Sequence, residues 1–220
     1  MADDGRQGRA TWKQDPQGVQ ENILRVARAV FAEHGLSGAR MAEIAERTET
    51  SKRMIYYYFG DKEGLYLRTL EEAYREVRAK ERALDLGGLD PVEALRRLVG
   101  FTFDHHRANP DFIRLVMIEN IHQGRYLERS DAIREVNRGA IATLSDIVRR
   151  GQAAGVFRPD IDPLTLHWQI SAMSFFNVSN RHTFGRSFGT DLLSKEGQKA
   201  LQAAVVATIT AGVLSSGNGF

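Results

Sequence analysis

The stretch Ser51-Lys-Arg-Met-Ile-Tyr-Tyr-Tyr-Phe59-Gly60-Asp61-Lys62 decides how this chain is read. Ser51 can accept a hydrogen bond from the first free N–H groups of a helix, and Gly60 breaks whatever precedes it, so the spacing predicts a helix over 52–59. Ile55 and Phe59 lie four apart, on one face, where they can hold the helix against its neighbours. Lys52 and Arg53 put cationic donors at the N-terminal end. Tyr56, Tyr57 and Tyr58 add hydroxyls whose rings can pack, with Tyr56 expected to be the most buried of the three. Asp61 can cap a fourth helix, and Lys62 stands at its start, where the ammonium and the helix dipole both attract anions.

Upstream, a short helix over about 40–48 turns Met41, Ile44 and Ala45 inward. Before it, a longer helix from Gln17 carries Ile23, Ala27, Val30, Phe31 and His34 on one face, with Gly35 placed to end it. Two short helices joined by a tight turn and packed on a longer one predict a helix-turn-helix, whose second short helix enters a DNA major groove. Ser51, Lys52, Arg53, Tyr56, Tyr57, Tyr58 and Lys62 are therefore the expected DNA-facing residues. Residues 1–16 are polar, with mixed charge and Gly5, Gly8 and Pro16, and read as a flexible tail or as a basic arm for a minor groove.

Downstream the helical period continues. The fourth helix is expected to reach about residue 84, followed by a loop at 85–90. Asp90-Pro91, Asn109-Pro110 and Asp162-Pro163 each place proline at a first helical position, so helices start near 91, 110 and 163. Further helices are expected over about 131–154 and 194–214. The chain reads as all-α with about nine helices: tail 1–16, helix-turn-helix domain 17–62, and a helical bundle over 63–220.

The 220 residues contain no cysteine, which excludes disulfides, thiolate metal sites and a cysteine nucleophile. No apolar run suggests a secretory signal or a membrane span, and a cytoplasmic location is expected. The net charge of +2 is too small to argue for nucleic acid by itself. The argument for DNA is one of local placement.

The runs Phe31-Ala-Glu-His-Gly35, Ile44-Ala-Glu46, Ser51 to Phe59 and Asp61-Lys-Glu63 with Leu65 resemble the TetR family of repressors. A second run, Gly151-Gln-Ala-Ala-Gly-Val-Phe-Arg-Pro-Asp160 with Asp162-Pro163, is similar to a segment between the last bundle helices of many members. The resemblance implies a homodimer that grips an operator and is released by a small ligand. It also implies that Lys52, Arg53 and Met54 face bases, that Tyr56, Tyr57 and Tyr58 lie near the backbone, and that Lys62 meets phosphate. Three features depart from the family pattern. Glu49 stands where the turn usually has glycine and Thr50 where it has valine, while Ala39 and Arg40 replace paired hydroxyl residues. Arg40 is then a substitute phosphate contact, and Glu49 is expected to point away from DNA.

Helix 163–184 is apolar nearly all round, through Leu164, Leu166, Trp168, Ile170, Met173, Phe175, Phe176 and Val178, and must be covered on more than one side. Helix 194–214 is similar. The resemblance implies that both pair with their symmetry mates, as a two-fold interface does. An apolar cavity in the bundle would hold the effector. Its polar candidates include Asp104, His105, His106, Asn120, Asn180 and His182, with Glu119, His122, Asn177 and Arg181 put first. Glu119 and His122 are three apart on an apolar helix, and Asn177 and Arg181 are four apart. Asp104-His105-His106 is a poor metal site, because adjacent helical residues point about 100° apart. No cofactor or metal is expected, and no enzymatic activity. Two alternatives stand beside the regulator: an all-α metal-dependent hydrolase, and a helical interaction protein that does not bind DNA.

Overall fold

The computed structural model describes residues 15–215; residues 1–14 of the expected tail lie outside them. Ten α-helices are present among the described residues. They are α1 (Pro16–Gly38), α2 (Met41–Arg47), α3 (Lys52–Phe59), α4 (Lys62–Arg82) and α5 (Pro91–Ala108). Then follow α6 (Pro110–Ile121), α7 (Asp131–Ala153), α8 (Pro163–Ser179), α9 (Arg181–Phe188) and α10 (Lys195–Val213). Short 3-10 turns lie at Leu86–Gly88, Leu127–Arg129 and Asp191–Leu193. The chain divides into two compact units, one up to Leu70 and one from Glu71, with the division inside α4.

The first unit is built on α1. Pro16 begins that helix rather than ending the tail, and Asp15 Oδ1 caps it by accepting from Gly18 N at 2.9 Å. Ile23, Ala27, Val30 and Phe31 are buried as their spacing predicts. His34, expected on that face, is exposed and lies 3.6 Å from Glu43. Gly35 leaves the helical conformation with φ 68°, a left-handed geometry that costs glycine little. Ile44 and Ile55 are fully buried, and the Phe31 and Tyr66 rings meet edge to face at 5.1 Å. Gly64 is required near the start of α4, since a Cβ there would lie 2.2 Å from the Phe59 carbonyl.

The second unit is a bundle centred on α5. Leu95, Leu98, Val99 and Phe103 of α5 pack with Leu144, Ile147 and Val148 of α7, Leu166 and Ile170 of α8, and Val205, Ile209 and Val213 of α10. Asp90 and Asp162 cap their proline-led helices through side-chain oxygens. Asn109 does not: its amide donates to the His105 carbonyl at 2.8 Å and so closes the end of α5.

The expected helix 163–184 is broken at Asn180, whose backbone (φ −103°, ψ 5°) ends α8 and precedes α9. The Asn180 carbonyl accepts from Phe184 N at 2.8 Å and from the Thr183 hydroxyl at 3.0 Å. The apolar pattern runs through the break, which conceals it. The division of that one helix into α8 and α9 turns the expected nine helices into ten among the described residues.

The segment 151–160 forms a return loop. Val156 N and Phe157 N both donate to the Gly151 carbonyl. Arg158 N then pairs with Val213 O, and Ser215 N with Val156 O, tying the loop to the end of α10. The buried Phe157 ring occupies the space a Cβ on Gly151 would need, with ring atoms as near as 2.1 Å.

Candidate DNA interface and candidate ligand cavity

In the first unit α3 is anchored by two buried apolar residues, with Met54 and Tyr58 half-buried beside them. Ile55 and Phe59 are buried, whereas Ser51, Lys52 and Arg53 are exposed. Ser51 Oγ accepts from Met54 N at 3.3 Å, the expected N-cap. Tyr57 is 74% exposed and Tyr56 44%, while Tyr58 is the more covered, its ring edge to face with Tyr57 at 5.4 Å. Tyr56, expected to be the most buried of the three, therefore stands outward: positions 52 and 56 share a face, as do 53 and 57. The result is an exposed strip of two cations and two phenols.

Arg40 precedes α2 with its side chain exposed and making no cap bond. Lys62 Nζ donates to the Ser37 carbonyl at 3.3 Å, next to the open end of α1. Glu49 adopts φ 53° in the turn between α2 and α3. The turn does take the left-handed form, at a cost that glycine would avoid. Thr48 is buried and donates through its hydroxyl to Ile44 O at 2.7 Å, bracing the same turn.

In the second unit a cavity of about 520 Å³ opens among the 74–81 part of α4 and helices α5 to α8. Leu98, Phe101, Phe112, Ile141, Ile170 and Phe175 make apolar walls. Its polar groups are Tyr74, Arg78, Glu81, Asn137, His105, His106 and His167, with Thr102, Asn120 and Ser171. Arg78 pairs with the buried Glu81 through Nη1 and reaches Asn137 Oδ1 through Nε and Nη2 at 3.4 and 3.3 Å. Burial pushes the Tyr74 hydroxyl up to about 12. Burial, helped by His105 and Arg78, lowers His106 to about 4, and burial lowers His167 as well. The walls bury a ligand's apolar surface, and the paired or neutral polar groups fix its orientation.

The residues put first from the sequence are dispersed. Glu119 does point inward and is 1% exposed, but its Oε2 accepts from Tyr126 N and Leu127 N, both at 3.1 Å. That carboxylate holds the 126–127 turn. His122 is exposed just beyond α6, and neither residue lines the cavity. Asp104 is exposed and accepts from Gln202 Nε2 at 2.7 Å. Asn177 and Arg181 line a second, more open space of about 570 Å³ between α8, α9 and α10. Asn177 exchanges two 2.9 Å hydrogen bonds with Gln198 and so joins α8 to α10. Arg78 and Glu81 were missed in the sequence because charged residues on α4 look like solvated surface, while Asn137 on α7 and His167 on α8 carry no local pattern that marks them as cavity lining. Among the described residues, no group of three or more His, Asp or Glu side chains could hold a metal ion.

Two family models cover the chain. One, described as bacterial regulatory proteins of the tetR family, matches residues 23–69; the other, a tetracyclin repressor-like C-terminal domain, matches residues 91–209. The chain belongs to the TetR family. The repressor NicS of Pseudomonas putida is 37% identical over 81% of this chain and 84% of its own length. The repressor SCO4008 of Streptomyces coelicolor is 30% identical over 74% and 80%. The solved structure of SCO4942, from the same organism, has a TM-score of 0.68 at 26% identity, covering 89% of this chain and 98% of that one. As a TetR-family member this chain is a ligand-responsive transcriptional regulator, with an all-helical fold. No described helix is long and apolar enough to cross a membrane.

Proposed function

We propose that this TetR-family protein is a repressor that grips a palindromic operator as a homodimer and leaves it when a small molecule fills the 520 Å³ cavity. The observation that carries the reading is the exposed strip of α3, where Lys52, Arg53, Tyr56 and Tyr57 project from a helix anchored by Ile55 and Phe59. Lys52, Arg53 and Met54 read base edges at the N-terminal end of α3, with Ser51 beside them. Arg40, Tyr56, Tyr57, Tyr58 and Lys62 bind phosphate, Lys62 exchanging the Ser37 carbonyl for it. The DNA-binding domain is assigned to residues 17–62 and the sensing and dimerising domain to the bundle after it. The cytoplasm is its place of action, and no catalysis is assigned to it.

Dimerisation through α8 and α10 is supported by what α8 leaves uncovered. Leu164, Trp168, Met173 and Phe176 are 62%, 70%, 38% and 52% exposed. Alongside, α10 exposes Ala203, Ala207 and Ala211, small residues that let a second helix approach closely. The space lined by Asn177 and Arg181 borders this face, so these two are assigned to the interface rather than to the effector.

Effector action runs through α4, one helix that starts at Lys62 and supplies Tyr74, Arg78 and Glu81 to the cavity. A ligand that binds one setting of that helix more tightly than the other shifts the population between them.

The test is duplex binding by the wild type and by the Lys52→Ala, Arg53→Ala double variant across about 50 to 200 mM salt. The wild-type affinity should fall linearly on a log–log plot, and the variant should bind more weakly with a shallower slope. Identical slopes and affinities would leave the interaction-protein alternative in possession of α3.

A further inference from the structure

Trp168 of α8 lines the 520 Å³ cavity yet leaves 70% of its surface uncovered. An indole standing in water forfeits most of the apolar contact that a tryptophan can make. About two turns further along the same helix lies the second space, of about 570 Å³, between α8, α9 and α10. Phe176, Phe184 and Leu201 supply apolar walls there, and Ala204 and Thr208 of α10 are small enough to leave room for a ring.

Helix geometry brings the two features together. Leu164, Trp168, Ala172 and Phe176 follow one another in steps of four and form a ridge along α8. Ala172 is the small member of that ridge, where a second helix can come closest. A two-fold axis crossing α8 at Ala172 runs the two copies antiparallel. The residue four before Ala172 in one copy then faces the residue four after it in the other, and the reverse contact is identical. Trp168 of one copy therefore meets Phe176 of the other, at the edge of the 570 Å³ space.

Charge and area both favour a second copy as the occupant. Helix α8 carries no Asp, Glu, Lys or Arg, and neither does α10 from Ala200 to Val213. A charged partner would find no counter-charge along this face, whereas two copies of it do not repel each other. The one charged residue lining the space, Arg181, can lie over an indole face, and the Thr208 hydroxyl can accept from the indole N–H. Phe188, whose ring meets Phe184 at 4.8 Å, extends the aromatic surface. Trp168, Phe176 and Phe188 are 70%, 52% and 77% exposed. With about 150–250 Å² to bury per ring, these three leave about 300–500 Å² uncovered, a large part of the ~800 Å² per partner in a stable interface.

We propose that the space between α8, α9 and α10 is a socket for Trp168 of a second copy of this chain, and that this tryptophan anchors the dimer. The proposal rests on dimerisation through α8 and α10. A ligand in the 520 Å³ cavity then borders a side chain seated in the other copy.

The chain has two tryptophans, so Trp12→Phe leaves Trp168 to report alone. In that background the dimer should emit further to the blue than the monomer produced by Phe176→Arg. Sedimentation of the full chain supplies the dissociation constants. Trp168→Ala should weaken the dimer at least about 100-fold, since one anchor is lost twice over. Ala204→Phe fills the socket from an exposed position and should weaken the dimer comparably, with the melting curve of the monomer unchanged. The two substitutions together should cost no more than the larger alone, because both remove the same contact. Additive losses, a Trp168→Ala dimer as tight as the wild type, or an indole that emits alike in dimer and monomer would overturn the socket and leave the dimer reading intact. So would a co-purified small molecule that native mass spectrometry finds on the wild type and Ala204→Phe removes. A dimer that survives Phe176→Arg, or a wild type that stays monomeric at every concentration, would overturn both.

Discussion

His106 makes a prediction about stability that needs no ligand. An unfolded chain takes up the proton of this residue near pH 6.5, whereas the folded chain holds the ring neutral down to about 4. Below pH 6.5 the unfolded state therefore binds more protons, and stability falls as the pH falls. The contribution is complete above pH 6.5 and is lost on the way to pH 4. At about 1.4 kcal/mol per pH unit, the interval from 6.5 to about 4 amounts to about 3 kcal/mol, most of it gone by pH 4.5. His105, His167, Arg78, Glu81 and Tyr74 share the cavity lining and titrate or carry charge there, so the comparison must be with a variant rather than with another pH alone. His106→Phe keeps a ring of similar size and removes the titration. Urea unfolding of both proteins at fixed concentration, followed by circular dichroism from pH 7.5 to 4.5, gives the difference directly. Phe should gain on His by about 2–3 kcal/mol over that range, the gain beginning below pH 6.5. A difference that stays flat with pH would refute the account of a neutral, desolvated His106.

Other substitutions probe the remaining parts. Gly151→Ala places a Cβ against the Phe157 ring, and thermal unfolding should show a loss of about 1–3 kcal/mol as the 151–160 loop is forced off α10. Glu49→Gly relieves the left-handed turn at φ 53° and should stabilise by up to about 1 kcal/mol, measured the same way. Glu119→Leu leaves the Tyr126 and Leu127 N–H groups unmet and should cost about 2 kcal/mol or more, while effector affinity stays unchanged because the residue lies outside the cavity.

The parts of the fold that local chemistry governs were legible before any coordinates. Asp90-Pro91 and Asp162-Pro163 start helices because aspartate caps and proline needs no N–H at that position, and Ser51 caps α3 for the same reason. Ile55 and Phe59 are buried where a 3.6-residue period puts them. The break at Asn180 was not legible, since apolar residues continue on both sides of it. The cavity was hidden differently. Arg78 and Glu81 lie three apart on a helix dense in arginine and glutamate, a pattern indistinguishable from a solvated face, and only packing reveals them as a buried pair. Of the pair Glu119 and His122, Glu119 is the buried member, but its partner is backbone seven and eight residues on, which no side-chain pattern encodes.

The central claim is that α3 presents Lys52 and Arg53 to a duplex twice, through a two-fold dimer. Selection of sites from a random duplex pool by the full chain tests it most directly. The enriched sequences should be inverted repeats with half-site centres one helical turn apart or a multiple of it. The Lys52→Ala, Arg53→Ala variant, folded by its melting curve, should bind them at least about 100-fold more weakly. An unenriched pool, a single unrepeated site, or undiminished binding by that variant would contradict the account.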